Sequence, residues 1–292
     1  MFMVKPKFPA LNRSRSISKN IVGAWPIYEP LTTNIHDVSG NNHNSTAIIG
    51  DPAMVHSSYG RAFEADGTGD GINFGNDSDF TVGDGSTDYM YTWFINFKLT
   101  SLSALGVLLS KDDVVSPISR EWLIYFNSTG DIICLIFEDG STSTRIGRGT
   151  PTGLLTTGVE TQLMVTYDAS AASSGIKIYA NRVRADTYDS PSGSYTVNGD
   201  DGVPFKAGLN HVTSNGIAGQ ISNIVLWKNR ALTLQDYQKL TVDPFLMYRP
   251  SLGIGWMTHV PGAPSSGLLM SPGMDGMGSY QFDSAMNGGM NG

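Results

Sequence analysis

The feature that most limits the fold is a succession of short apolar segments with strand periodicity, separated by turns rich in Gly, Asn and Asp. Segments 122–126 and 132–137 flank the loop NSTGD and predict a hairpin. The 34 glycines suit many tight turns. In 89–99 (YMYTWFINFKL) every second side chain is aromatic or aliphatic: Tyr89, Tyr91, Trp93, Ile95 and Phe97. The pattern predicts an all-β protein made of many short strands joined by tight turns.

A strand near the C-terminal end is apolar on both faces. In 221–227 (ISNIVLW), period-two alternation puts Ile221, Val225 and Trp227 on one face. The opposite face carries Ile224 and Leu226. Since both faces are apolar, we expect this strand to be covered on both sides.

A short helix is predicted directly after this strand. Thr233 suits an N-cap, and Asp236 stands three residues later, where a capping box has its acid. Its apolar side chains fall on one side: Leu234, Tyr237 and Leu240. We expect these three residues to cover one face of the preceding strand.

Charge, cysteine content and hydrophobicity exclude several classes of protein. The formal net charge of −7 argues against a protein that binds nucleic acid over its whole surface. The one cysteine, Cys134, rules out an internal disulfide and is expected to be buried. No apolar stretch is long enough for a signal peptide or a membrane span. We therefore expect synthesis in the cytoplasm and no membrane partner.

Three regions differ in composition: a basic arm (1–19), a strand-rich body (20–250), and a tail (251–292) that contains half of the twelve methionines. The tail is too poor in core-forming residues to fold alone. The arm is interpreted either as a solvated basic segment or as a segment that docks on an acidic partner. Candidate docking residues are Lys5, Lys7, Arg13, Arg15, Trp256 and Met257.

The order of segments resembles the laminin-G-like jelly rolls of the concanavalin-A-like lectin/glucanase superfamily, particularly versions found in tailed-phage virion proteins and bacterial surface proteins. The resemblance covers roughly residues 20–245 and implies an all-β fold, a two-sheet antiparallel β-sandwich with one short C-terminal helix and extended terminal segments. The segments that carry it are 20–29 (NIVGAWPIYE), 37–48 (DVSGNNHNSTAI), 59–76 (YGRAFEADGTGDGINFGN), 92–99 (TWFINFKL), 107–113 (VLLSKDD), 122–132 (WLIYFNSTGDI), 161–183 (TQLMVTYDASAASSGIKIYANRV) and 219–240 (GQISNIVLWKNRALTLQDYQKL).

The resemblance implies a structural or capsid decoration protein of a bacteriophage virion, docked on neighbouring capsid or tail subunits and forming a homo-oligomer. The alternative is a lectin-like, carbohydrate-binding adhesion module that recognises host glycans. The sequence predicts no enzyme, because it lacks the Glu-x-Asp-x-x-Glu pair of glucanases, a Gly-x-Ser-x-Gly elbow and a His-Glu-x-x-His helix.

Two candidate ligand sites follow. The segment 66–77 (DGTGDGINFGND) spaces its acids like a calcium loop, although it joins strands and lacks the final Glu. One interpretation is a Ca²⁺ site at the rim of the sandwich, of the kind that relatives hold; the other is a set of turns chosen for backbone conformation. The candidate calcium ligands are Asp66, Asp70 and Asp37, and the candidate carbohydrate-binding residues are Asn41, Asn42 and His43.

Overall fold

The computed structural model is a sandwich of two eight-stranded antiparallel sheets, which confirms the predicted fold class. It describes residues 9–28, 34–102, 105–113, 119–141, 143–210 and 215–249. The predicted tail, 251–292, lies outside the described residues. Within the described ranges, no helix combines the length and the apolar character that a membrane crossing requires.

The strands are short, as the spacing of turn residues predicts. In chain order they are β1 (Ile21–Trp25), β2 (Ala47–Ile49), β3 (Ala53–Ser57), β4 (Gly60–Asp66), β5 (Gly71–Gly75), β6 (Tyr91–Leu99), β7 (Gly106–Asp113), β8 (Ser119–Phe126), β9 (Ile132–Phe137), β10 (Arg145–Gly149), β11 (Glu160–Tyr167), β12 (Ile176–Ala180), β13 (Val183–Arg184), β14 (Tyr188–Asp189), β15 (Phe205–Ala207) and β16 (Ala218–Lys228), followed by the helix α1 (Leu234–Val242).

We call the two layers sheet A and sheet B. Sheet A has the strand order β13-β12-β11-β6-β16-β4-β3, and β1 also pairs with β16. Sheet B has the order β14-β10-β9-β8-β7-β15-β5-β2. The predicted hairpin is present as β8 and β9, joined by residues 127–131.

Aromatic side chains fill the space between the sheets. Trp93 of sheet A meets Trp122 of sheet B with ring centroids 5.2 Å apart, and Trp122 lies 5.6 Å from Phe205. Cys134 is free and buried in this core, as predicted, and burial raises the pKa of its thiol. Of the predicted aromatic stripe, four members belong to this core: Tyr91, Trp93, Ile95 and Phe97.

A bulge in β16 changes which side chains share a face. The register against β6 shifts at Ser222, which is the extra residue between the pairs Ile221–Phe97 and Asn223–Asn96. The assignment of Ile221 to the face of Val225 and Trp227 was therefore wrong. Ile221 joins Ile224 and Leu226 in the core between the sheets, whereas Val225 and Trp227 lie on the outer face of sheet A.

The helix covers that outer face, as predicted. Tyr237 and Leu240 are fully buried against sheet A, in the same cluster as Trp227. Thr233 and Asp236 form the predicted capping box. Leu234 was wrongly included, because its side chain remains 39% exposed. Two of the three predicted side chains thus form the cover.

The described part of the basic arm packs onto the same face. Ile17 is buried there, and its carbonyl accepts a 2.7 Å hydrogen bond from Trp227 Nε1. The backbone N–H of Asn12 donates to the carbonyl of Met247 at 2.7 Å. Residues 9–19 therefore form part of the cover of sheet A, together with segments from the C-terminal side of the body.

Candidate functional site

The predicted calcium ligands Asp66 and Asp70 lie at one turn. Asp70 is buried, and its two carboxylate oxygens accept backbone N–H bonds from Asp51 at 2.9 Å and Asp66 at 3.1 Å. Asp66 Oδ1 accepts from the N–H of Thr68 at 2.7 Å. These bonds hold the backbone of the turn, which is the role that the second interpretation gave to these residues.

Asp37 lies in a different loop. Its Oδ1 accepts from the backbone of Ala24 at 2.9 Å and of Ser39 at 2.8 Å, and its Oδ2 accepts from the backbone of His43 at 3.0 Å. In the described ranges, the three aspartates do not form a group of ligand atoms close enough to share a metal ion. The calcium site stays a prediction.

The predicted carbohydrate-binding residues share one turn. Asn41 is exposed, but its Nδ2 donates to the carbonyls of Ile21 at 3.1 Å and Val22 at 2.9 Å. Asn42 is exposed and adopts a left-handed backbone conformation, with φ of 67°. The His43 side chain is 12% exposed. Their role in binding stays a prediction.

Two of the predicted docking residues are described, and both make bonds within the chain. Arg13 Nη2 donates to the carbonyl of Ser39 at 2.8 Å, and Arg15 Nε donates to the carbonyl of Arg249 at 3.1 Å. Docking on a partner stays a prediction for these two. The other candidates lie outside the described residues: Lys5, Lys7, Trp256 and Met257.

A buried charged pair lies on β7 and β8. Lys111 and Glu121 have fully buried side chains, and the ammonium group of Lys111 donates to Glu121 Oε1. Lys111 also lies 3.2 Å from Asp200 Oδ1. Burial raises the pKa of Glu121 to about 8, although the charge of Lys111 lowers it. Neither side chain reaches solvent, so this pair belongs to the interior rather than to a ligand site.

The outer face of sheet B carries a row of side chains that the sequence did not single out. Backbone pairing places Tyr188 opposite Gly149, Gly149 opposite Ile133, and Ile133 opposite Tyr125. Because directly paired residues point to the same side of a sheet, Tyr188, Ile133 and Tyr125 share one face across β14, β10, β9 and β8. At 40% exposure, Tyr188 is the one aromatic residue among the exposed large hydrophobic side chains of the described ranges.

The ring of Tyr188 is held across β10. Gly149 makes room for it, because a Cβ at that position would lie 2.2 Å from Cζ of Tyr188. The hydroxyl of Tyr188 donates a 3.0 Å hydrogen bond to Oδ2 of Asp131, which is 4% exposed. Oδ1 of Asp131 accepts from the hydroxyl of Thr129 at 2.5 Å. The phenol is therefore fixed at both its ring and its hydroxyl. Burial and then the bond to Asp131 raise the pKa of Tyr188 to about 12.

Tyr125 lies near this ring, and Arg145 shares the same face of the sheet, four residues from Gly149 along β10. Burial raises the pKa of the half-buried Tyr125, while the charge of Arg145 lowers it and that of Asp131 raises it, so both charges are close to the phenol. Arg145 Nη1 donates to the carbonyl of Ser143 at 3.4 Å, but its buried Nε has no hydrogen-bond partner within the described part of the chain. We call this surface the tyrosine face: Tyr125, Asp131, Ile133, Arg145 and Tyr188.

Sequence reasoning could have found only part of the tyrosine face. Tyr125 falls on the face opposite Trp122 by simple alternation in β8. Tyr188 lies in a two-residue strand after an irregular segment, and no periodicity in its surroundings indicates which strand it joins. Its place beside Asp131 depends on pairing across 57 residues of sequence.

No protein-family model and no curated protein sequence matches the chain. Its fold is similar to the binding domain of Paraclostridial Mosquitocidal Protein 1, with a TM-score of 0.59 and 12% identity over 77% of this chain and 52% of that one. It is similar to Trypanosoma rangeli sialidase in complex with the inhibitor DANA, with a TM-score of 0.56 and 13% identity over 78% of this chain and 34% of that one. This chain thus spans about half of the first protein and a third of the second.

A third similar structure is matched over almost its whole length. Domain 4 of AbnA, a GH43 extracellular arabinanase from Geobacillus stearothermophilus, in complex with arabinotriose, has a TM-score of 0.51 and 17% identity over 76% of this chain and 98% of that one. At these identities the likeness establishes the fold, and it agrees with the concanavalin-A-like architecture that the sequence predicts.

Proposed function

We propose that this protein is a carbohydrate-binding module that holds a glycan on the tyrosine face. The observation that carries the proposal is the fixed, exposed ring of Tyr188, bound through its hydroxyl to Asp131 and lying on the same face as the half-buried Tyr125.

The chemistry of this surface suits a sugar. The C–H groups of a pyranose or furanose ring pack against an aromatic ring, while the hydroxyl groups need directional donors and acceptors. Tyr188 and Tyr125 supply aromatic surface, and Arg145 supplies donors. A ring that is already fixed loses little conformational entropy when a sugar stacks on it, so more of the contact energy contributes to affinity.

The comparisons support this proposal through one structure above all. Domain 4 of the arabinanase is a separate domain of similar length and fold, and its structure contains arabinotriose. The mosquitocidal protein contributes a domain whose stated role is binding. Adhesion to a host surface is the biological role that fits a module of this kind, as the alternative interpretation of the sequence has it.

The virion role stays a prediction from the sequence resemblance, as do the capsid or tail partners and the homo-oligomer. None of the three similar structures described above is a virion protein. Arg13 and Arg15, two of the residues assigned to docking, are bound within the chain. The glycan proposal therefore has the stronger structural support.

A glycan array followed by calorimetry tests the proposal. We expect the wild-type protein to bind at least one glycan class, and Tyr188→Ala to weaken that binding at least tenfold, because the stacking surface is lost. The rim variant Asn42→Ala is the matched control, since it also removes an exposed side chain and probes the predicted rim site. Loss of binding in Asn42→Ala with full binding in Tyr188→Ala would place the glycan at the rim and overturn the assignment to the tyrosine face.

The same experiment includes an analysis of the bound glycan, to test whether the protein cleaves it. We expect the bound glycan to be recovered intact after prolonged incubation, because the proposed surface holds no pair of carboxylates at the spacing that glycoside hydrolysis uses. Release of shorter sugars by the wild-type protein would contradict a role limited to binding.

A further inference from the structure

Two loops at the sandwich rim bring an imidazole and two carboxylates together. His43 Nε2 lies 3.1 Å from Asp79 Oδ2, and His43 Nδ1 lies 3.8 Å from Asp77 Oδ2. A nitrogen of the ring and one oxygen of each carboxylate all lie within 4.8 Å of one another. In the described ranges this is the one group of three or more His, Cys, Asp or Glu residues with that property.

The imidazole is fixed by its surroundings. The ring of His43 packs on Phe80 with centroids 4.8 Å apart, and the carbonyl of His43 accepts a 2.8 Å hydrogen bond from Trp25 Nε1. The backbone N–H of His43 donates to Asp37. Contacts on the ring, the carbonyl and the N–H thus set the position of this side chain before any ligand arrives.

Each carboxylate is also positioned, with one oxygen left toward the histidine. Asp77 Oδ1 accepts a 2.9 Å bond from the N–H of Asp79 and caps the 3-10 turn Ser78–Phe80, so its Oδ2 is the oxygen near the imidazole. The carbonyl of Asp79 accepts a 2.8 Å bond from the hydroxyl of Tyr91, which anchors the backbone of that residue. The Asp77 and Asp79 side chains are 44% and 41% exposed, so an ion has access from solvent.

We propose that His43, Asp77 and Asp79 bind a divalent transition metal of the zinc class. Imidazole together with carboxylates is a donor set that zinc accepts, whereas calcium takes oxygen ligands alone. In a tetrahedral site with bonds of about 2.0–2.2 Å, ligand atoms lie roughly 3.3–3.6 Å apart. One ring nitrogen of His43 and one oxygen of each aspartate lie within 4.8 Å of one another, so side-chain rotations bring these three ligand atoms to an ion, and water completes the coordination.

Lys228 provides a further test of the proposal, because its ammonium group is positively charged, like a metal ion, and lies next to the site. Its ammonium donates a 2.5 Å bond to the carbonyl of Ser78, the residue between the two aspartates. Burial lowers the pKa of Lys228, while Asp79 and Asp77 raise it, so its charge is felt at the carboxylates. A bound cation is repelled by this ammonium group. Removing the charge of Lys228 should therefore strengthen metal binding.

Isothermal titration of tag-free, full-length protein with Zn²⁺ tests the site, with Ca²⁺ titrated in parallel. We expect one equivalent of Zn²⁺ to bind and Ca²⁺ not to compete. His43→Ala and Asp79→Asn should each weaken binding about tenfold or more, and Lys228→Gln should tighten it several-fold. His56→Ala is the matched control, because His56 is exposed on β3, and it should leave the affinity unchanged.

Co²⁺ absorption provides a second measurement that does not depend on the heat of binding. We expect tetrahedral Co²⁺ bands that disappear in Asp77→Asn, a variant that keeps the size of the side chain and the acceptor of the turn cap. Absence of Zn²⁺ binding in the wild-type protein, or equal binding in wild-type and Asp79→Asn, would overturn the proposal and leave a hydrogen-bonded contact between His43 and Asp79. Glycan binding on the tyrosine face is tested separately and does not depend on this result.

Discussion

The outer faces of the two sheets differ in how the chain covers them. On sheet A, Trp227 and its apolar neighbours are buried beneath α1 and the segment that contains Ile17. On sheet B, the outer face carries Tyr188, which is exposed and held by a hydrogen bond. The chain therefore seals one face with its own terminal segments and leaves an aromatic ring accessible on the other.

The strongest way to break this comparison is to remove the cover of sheet A. Leu240→Ala should lower the free energy of unfolding by about 2–5 kcal/mol, because it leaves a cavity in a fully buried cluster. Leu234→Ala, on the same helix at 39% exposure, should change it by no more than about 0.5 kcal/mol. Urea denaturation measures both. Equal losses in the two variants would mean that α1 does not cover the sheet as described.

A pH scan of the free energy of unfolding tests whether Glu121, on β8 of sheet B, contributes to stability. The pKa of Glu121 is raised in the folded state to about 8, so the folded protein binds more protons than the unfolded chain between about pH 4.5 and pH 8. The contribution of Glu121 to stability is therefore fully present below about pH 4.5 and is lost as pH rises to about 8, by an amount on the order of a few kcal/mol. Glu121→Gln should flatten the decline. A variant whose pH profile matches the wild-type profile would show that another group controls it.

The helix cap provides a smaller test of the cover. Thr233→Ala removes the side chain that accepts the N–H of Asp236, which should cost about 1 kcal/mol. Thr233→Ser keeps an acceptor oxygen and should lose less than half of that. Thermal melts followed by circular dichroism compare the two. A full loss in the serine variant would assign the effect to packing of the threonine methyl group.

The smallest expected effect lies on the tyrosine face. Tyr188→Ala should alter the free energy of unfolding by no more than about 1 kcal/mol, because the side chain is partly exposed and its removal opens Asp131 to water. Chemical denaturation measures the change. A large destabilisation would mean that the ring is a structural element, and the two faces would then not be as distinct as the comparison holds.

The sequence predicted the sheets better than it predicted the site, for a physical reason. Alternation in 89–99 and the capping residues Thr233 and Asp236 are local signals, and the structure confirms the strand core and the helix. The sheet face predicted for Ile221 was wrong, because a bulge at Ser222 interrupts the alternation of side chains along β16. A bulge of this kind depends on the partner strand, so the sequence of β16 alone does not reveal it.

The site residues depend on contacts between distant segments. Asn42 and His43 were chosen as polar residues in one loop, and the structure brings His43 to Asp77 and Asp79 of another loop. Tyr188 likewise contacts Asp131, which lies 57 residues earlier in the sequence. Such pairs follow from strand order and register, which alternating hydrophobicity does not specify. The sequence was enough to name His43 as a candidate binding residue, but it did not reveal that Asp77 and Asp79 lie beside it.

The position of β16 has a consequence for how the protein is synthesised. This strand is the last one within the described residues, yet it lies in the middle of sheet A, where it pairs with β6, β4 and β1. Until residues 218–228 leave the ribosome, β6 and β4 each have an edge without its native partner. Folding must therefore wait for distant pairing, and nascent chains that stall earlier expose strand edges that are prone to aggregate.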